Sequence, residues 1–227
     1  MRDGENIRQV AELGVDWIGM IFWEKSPRNV SMVPSLAGII PDRAPSGATK
    51  GVCRVGVFVD EMPQNIITRV VNFRLDLVQF HGQESPTLIR NLRRTLDPDI
   101  RPGIKFIKAI SVGCRDDVAA YKQYADCVDY FLFDTRCPSV GGSGQQFDWS
   151  MLSAYDGDKP FLLSGGIGPE DAPRLRSLFA ATTADSGFPK DKCIGIDLNS
   201  RFETASALKD ISMLKTFFKQ IRNEQNK

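Results

Sequence analysis

Asp134 stands where an apolar run, Tyr130 to Phe133, gives out and a glycine-bearing loop with Gly141, Gly142 and Gly144 begins. A carboxylate at the C-terminal end of a buried strand, beneath a loop, is where a barrel enzyme keeps a general acid or base. The same residue can also do no more than cap the strand or accept loop amides, and this stretch alone leaves both readings open. Two later turns suit an anion. Ser164-Gly165-Gly166 follows the run Phe161 to Leu163, and Asn199-Ser200 follows the run Cys193 to Leu198. Glycines let the backbone approach a phosphate closely, and Asn199 and Ser200 add donors. Both also read as ordinary strand-to-helix turns. Their place on the last two strands favours phosphate, because barrels hold phosphate there.

Other chemistries fit poorly. His81 is the only histidine, and the five cysteines (Cys53, Cys114, Cys127, Cys137 and Cys193) form no C-x-x-C pair. That argues against a zinc site, a Ser-His-Asp triad and a disulfide framework, and no metal is expected. Lys+Arg is 29 against Asp+Glu 28, so no charge excess points to nucleic acid or an anionic membrane surface. No apolar run approaches a membrane span, and the polar start M-R-D-G-E-N-I-R is no signal peptide, so a cytoplasmic location is expected. The 42% hydrophobic and 25% charged content is that of a globular chain with one sizeable core.

The elements that must position these residues alternate. Expected strands are Trp17 to Phe22, Arg54 to Val59, Leu77 to Phe80, Phe106 to Val112, Tyr130 to Asp134, Phe161 to Leu163 and Cys193 to Leu198. Most are continuous apolar runs, as a parallel sheet buried on both faces requires. Helices are expected at about Gly4 to Leu13, Ser31 to Ile40, Asn65 to Phe73, Pro86 to Leu96, Asp116 to Tyr124, Trp149 to Tyr155, Pro169 to Phe179 and Asp210 to Arg222. A polar linker with Pro41, Pro45 and Gly47 follows the second. Ser85-Pro86 reads as an N-cap with proline at the first helical position. The polar stretch Thr182 to Lys192 is expected to be a mobile or disordered loop. The alternation indicates one α/β domain, a barrel or a doubly wound sheet.

The motifs F-W-E-K-S-P-R-N-V-S, R-V-G-V-F-V, V-Q-F-H-G-Q-E-S-P, F-D-T, G-G-S-G-Q-Q-F-D-W, K-P-F-L-L-S-G-G-I-G-P-E and G-I-D-L-N-S-R-F-E occur in this order over nearly the whole chain. Together they resemble the phosphoribosylanthranilate isomerases of tryptophan biosynthesis. The resemblance implies a (β/α)8 TIM barrel that uses no cofactor and acts on a small phosphorylated substrate. The reaction is an Amadori rearrangement of N-(5-phosphoribosyl)anthranilate, with Asp134 as general acid. Arg28, of S-P-R, would bind the anthranilate carboxylate. Gly165, Gly166, Asn199 and Ser200 would hold the phosphate, and Gln79 and His81, of Q-x-H-G, would support the site. The family pattern usually has glycine where Arg201 stands.

The family's base is a cysteine in a K-x-C-G motif ending strand one, and Met1-Arg2-Asp3 matches the residues just after that motif. The expectation is therefore a single barrel domain, residues 1–227, shortened at its N-terminus. It lacks strand one and the base and turns over little or nothing; Cys137, in a loop, is a poor substitute. Two rivals stand beside this reading. One is an indoleglycerol-phosphate synthase-like lyase using Lys108, the only lysine inside an expected strand. The other is a shortened barrel that binds ligand without turnover.

Overall fold

A computed structural model describes residues 1–30, 51–135, 148–181 and 183–222. The expected helix at Ser31 to Ile40, the proline linker, Cys137 and the glycine loop before Asp148 lie outside the described residues. The chain forms two compact units, Met1–Lys108 with Ala205–Lys209, and Ala109–Thr204 with Asp210–Lys227.

The first unit opens on α1 (Gly4–Glu12), started by Asp3, whose carboxylate accepts the Asn6 amide at 2.7 Å. Four strands follow, β1 (Trp17–Ile21), β2 (Cys53–Phe58), β3 (Leu77–Phe80) and β4 (Lys105–Val112), the last running on into the second unit. They pair in chain order and parallel, with Val55 beside Leu77 and Leu77 beside Lys105. The helices between them are α2 (Pro63–Asn72) and α3 (Pro86–Thr95). Ser85 caps α3, its hydroxyl accepting the Leu88 amide at 3.2 Å with Pro86 in the first turn, as the sequence led us to expect. Every residue of β3 is buried, so this strand can offer chemistry only where it ends.

The second unit holds β5 (Tyr130–Thr135), β6 (Phe161–Leu163) and β7 (Cys193–Ile196), again parallel neighbours in chain order. Its helices are α4 (Ala172–Ala180), α5 (Thr183–Ser186) and α6 (Ile211–Ile221). Two segments expected to be ordinary helices are 3-10 helices, Arg115–Gln123 and Trp149–Ala154. The buried side chains explain this. Val118 and Tyr121 in the first, and Trp149 and Leu152 in the second, lie three residues apart, the spacing that aligns side chains in a three-residue turn. A short ribbon absent from the sequence reading, β8 (Glu203–Ala205) with β9 (Leu208–Lys209), lies between β7 and α6 in the chain. Asn6 of α1 anchors its second strand, donating to the Lys209 carbonyl and accepting the Lys209 amide, both at 2.8 Å.

The stretch expected as a mobile loop is instead built into the core. It carries α5 and a 3-10 turn at Lys190–Lys192. Phe188 between them is fully buried and meets Phe161 and Phe179 edge-on, with ring centroids 5.9 and 6.1 Å away. Lys190 donates to the Ala181 carbonyl at 2.6 Å. One aromatic side chain anchors a segment whose other residues are polar or small, apart from Pro189. Phe188→Ala should cost about 3–5 kcal/mol of unfolding free energy, the usual range for a buried phenylalanine. Urea denaturation checks this, and a loss below about 1 kcal/mol, the size of an ordinary surface substitution, would mean that the segment is not anchored there.

Candidate active site

In the first unit the candidate residues gather where β1 and β3 end. Beyond β1 the chain turns back on itself: Ser26 and Asn29 amides donate to the carbonyls of Trp23 and Ser26, each at 3.0 Å, and the Val30 amide donates to Ile21 at 2.8 Å. Arg28, half-buried, rides on this turn, its amide held by the Ser26 hydroxyl at 3.1 Å. At the end of β3, Gln79 and His81 meet: the Gln79 side-chain nitrogen lies 2.9 Å from His81 Nδ1. The His81 amide makes a last ladder bond to the Phe58 carbonyl at 2.8 Å.

The same strand end carries a buried ion pair that the sequence reading did not assign. Lys108 Nζ lies 3.2 Å from Glu84 Oε2, and their side chains are 3% and 1% exposed. Burial pushes the Lys108 pKa down, while Glu84 and Asp60 nearby pull it back up. Lys108 pairs in register with Phe80 and so points to the side that Phe80 and Phe106 share, where Arg93 of α3 stacks on Phe106 at 4.2 Å. That is the helix-covered side, opposite to Gln79. A lyase built on Lys108 as an acid at the strand end therefore finds this lysine facing α3 and held by Glu84.

In the second unit Asp134 is the next-to-last residue of β5 and half-buried, and its carboxylate accepts the Thr135 amide at 2.8 Å. The loops after β6 and β7 start side by side. Leu163 pairs with Ile196, and one residue further on the Ser164 hydroxyl donates to Asp197 at 3.1 Å. Gly165 and Gly166 turn with φ of +89° and +67°, a left-handed path that a side chain would strain. Asn199 and Ser200 lead into a 3-10 turn at Ser200–Phe202. Arg201 reaches from this turn to Glu170 of the loop after β6, tying the two loops with an ion pair. The structure thus brings the four expected phosphate residues to adjoining loops. The Gly168 amide is taken by Asp171 at 2.7 Å. Asp197 was missed as a site residue, although the signal that picked out Asp134, a carboxylate at the end of an apolar run, applies to it equally.

The F-D-W motif starts its own element. Asp148 caps the 3-10 helix, accepting the Ser150 amide and hydroxyl at 3.0 and 2.7 Å, and these bonds hold its carboxyl below the usual range. Trp149 is buried beneath the Arg174 guanidinium, 3.9 Å from its ring. Among the described cysteines, Cys53 and Cys193 are the first residues of β2 and β7, at the opposite strand ends from the candidate residues. Burial pushes the Cys193 thiol up to about 11, so it stays protonated at neutral pH. No cluster of histidine, cysteine and carboxylate side chains able to hold a metal occurs among the described residues, and none of their helices is long and apolar enough to cross a membrane.

Comparison with known proteins places the chain in a family. A family model described as N-(5'phosphoribosyl)anthranilate (PRA) isomerase matches residues 1–220. The N-(5'-phosphoribosyl)anthranilate isomerase of Parabacteroides distasonis is 41% identical over 97% of this chain and 90% of its own length. That of Phocaeicola vulgatus is 38% identical over 99% and 96%. Among solved structures, the phosphoribosyl anthranilate isomerase of Thermotoga maritima is 31% identical, with a TM-score of 0.76 over 98% of this chain and 96% of that one. Another isomerase structure, in complex with reduced 1-(o-carboxyphenylamino)-1-deoxyribulose 5-phosphate, is 28% identical, with a TM-score of 0.72 over 98% and 95%. The fold is the (β/α)8 barrel class, which sets aside the doubly wound alternative. The chain belongs to the N-(5'-phosphoribosyl)anthranilate isomerase family.

Proposed function

We propose that this chain rearranges N-(5'-phosphoribosyl)anthranilate to 1-(2-carboxyphenylamino)-1-deoxyribulose 5-phosphate, a step of tryptophan biosynthesis, in the cytoplasm. The reading takes residues 1–227 as one domain, and β4, which runs from the first unit into the second, supports that. The observation that carries the function is the pair of adjoining turns after β6 and β7, joined by Ser164–Asp197 and Arg201–Glu170, in a unit that also holds Asp134 one residue before the end of β5.

Each group has one task. Amides and hydroxyls at Gly165, Gly166, Asn199 and Ser200 hold the phosphate and fix one end of the sugar. Arg28 pairs with the anthranilate carboxylate at the other end, where a planar guanidinium can make two parallel hydrogen bonds. Asp134 gives a proton to the ribose ring oxygen as the C1–O bond breaks, leaving an iminium between C1 and the anthranilate nitrogen. Loss of the C2 proton gives an enolamine, which becomes the ketone; the acceptor of that proton is the one role filled by none of the residues named here, since the K-x-C-G cysteine that the resemblance gives for it does not occur in this sequence. One proton enters and one leaves, no electrons are exchanged with an outside partner, and the chemistry calls for no cofactor. Gln79 and His81 support the site, with the imidazole oriented by the side-chain amide.

Calorimetry with reduced 1-(o-carboxyphenylamino)-1-deoxyribulose 5-phosphate tests the binding half. The parent chain should bind it, and a chain that does not would overturn the proposal. Arg28→Ala should weaken that binding about 10- to 100-fold, the loss of charge-assisted hydrogen bonds, with no change in thermal stability. Unchanged affinity would leave Arg28 as a surface charge.

Asp134→Asn removes the acid and keeps the shape. It should lower isomerisation about 10²- to 10⁴-fold relative to the parent, while affinity for the same ligand stays within about three-fold. A rate within a few-fold of the parent's would assign the acid elsewhere.

A further inference from the structure

The Lys108–Glu84 pair is used by none of these steps, yet it binds the backbone on both sides of His81. Lys108 Nζ lies 3.3 Å from the Phe80 carbonyl and 2.6 Å from the Gly82 carbonyl, besides its contact with Glu84. The Glu84 carboxylate accepts the Gly82 amide, at 3.1 and 3.2 Å from its two oxygens, and the Asp60 amide at 3.0 Å. Asp60 in turn accepts the Gln83 amide at 2.6 Å. The peptides before and after His81 are thus fixed by side chains lying on the helix-covered face. Space is tight as well: a Cβ on Gly82 would come within 2.5 Å of Asp60 Oδ1 and 2.8 Å of the Asp60 nitrogen.

Stability alone is a weak reason for such a pair. Exchanging a buried ion pair for apolar side chains of similar volume is often neutral or stabilising. Apolar side chains, however, cannot grip two carbonyls and two amides at fixed positions.

We propose that Lys108 and Glu84 are positioning residues, which set the backbone of residues 80–84 from behind the sheet and thereby fix the His81 imidazole for the reaction. The proposal rests on the reading that His81 supports the isomerase site. His81 is the only histidine of the chain, so its two ring C–H protons give the only pair of imidazole signals in the proton NMR spectrum.

The test is the double substitution Lys108→Met with Glu84→Gln. It removes both charges and keeps one oxygen to accept the amides of Asp60 and Gly82. It also leaves no carboxylate buried alone, as Lys108→Met by itself would, and that makes the double variant the one to fold. Its Tm should fall within about 5 °C of the parent's, a difference on the order of one ordinary contact. The imidazole C–H signals should move from their places in the parent's spectrum, because the ring sits in a changed surrounding. kcat should drop about 10- to 100-fold with KM within about three-fold, since displacement of a site group by about 1 Å costs that much. A folded double variant whose imidazole signals coincide with the parent's overturns the proposal, whatever its turnover. Moved signals with unchanged kcat overturn it too, because the pair would then orient a ring that the reaction does not use. A parent chain without isomerisation would strike the isomerase reading itself, while the signals would still report whether the pair holds the ring.

Discussion

β3 buries all four of its residues, and β2 all but one of its six. A parallel strand enclosed on both faces satisfies its backbone through its neighbours and its side chains through the core, and a polar side chain in its middle would lose water without gaining a substrate. Chemistry is forced to the end of the strand, where the ladder stops and carbonyls and amides need new partners. Most candidate groups obey this limit, and the exception, Gln79 inside β3, spends its side-chain amide on His81 just beyond the strand. Asp134 comes one residue before the end of β5, Ser164 and Asp197 come one residue after β6 and β7, and His81 comes one residue after β3. Arg28 reaches the end of β1 through a turn that folds back onto Ile21. The partners that complete each strand end also hold its functional residue.

That limit explains why much of the site was legible in the sequence. Apolar runs that stop at a carboxylate or a glycine can be read by eye, and the residue at the stop is the one at the strand end. Asp134, Gly165 and Gly166 were picked out as candidates in this way, and Gln79 and His81 through the Q-x-H-G motif. Asp197 gives the same signal, but in the sequence it sits inside the run Cys193 to Leu198, and only its bond to Ser164 shows that it joins the two turns. The helices were less legible where packing sets the form. Val118 with Tyr121, and Trp149 with Leu152, need three-residue spacing, a pattern too short to separate from an α-helical one by sequence. Phe188 shows the converse: its neighbours made the segment look like solvent-facing loop, and only the rings of Phe161 and Phe179 show where it goes.

What the sequence hid altogether is pairing between distant residues on the far side of a sheet. In Q-F-H-G-Q-E-S-P the histidine draws the eye, and glutamate three residues later looks like an ordinary surface charge at the start of α3. Lys108 looks like a charge misplaced inside a strand. Each is expensive to bury alone and acceptable together, because each satisfies the other and the turn supplies the remaining partners. Gly82 is explained by the same cluster. Its lack of a side chain leaves room for Asp60 against the turn, so Asp60 after β2, Gly82 and Glu84 after β3, and Lys108 within β4 form one arrangement.

Charge in this protein is therefore sorted by depth. At the surface, Arg201 and Glu170 make an ion pair open to solvent, where screening leaves it little weight in stability and its effect is to tie two loops. Beneath β3 and β4 the Lys108–Glu84 pair is shut away from water, so its geometry is set by the backbone it binds, and it cannot drift without leaving a charge stranded. Both kinds stand beside candidate residues, the exposed pair in the second unit and the buried pair in the first. Exposed pairs can adjust when a ligand arrives. Buried ones keep a strand end, and the ring mounted on it, in a single arrangement whether the ligand is there or not.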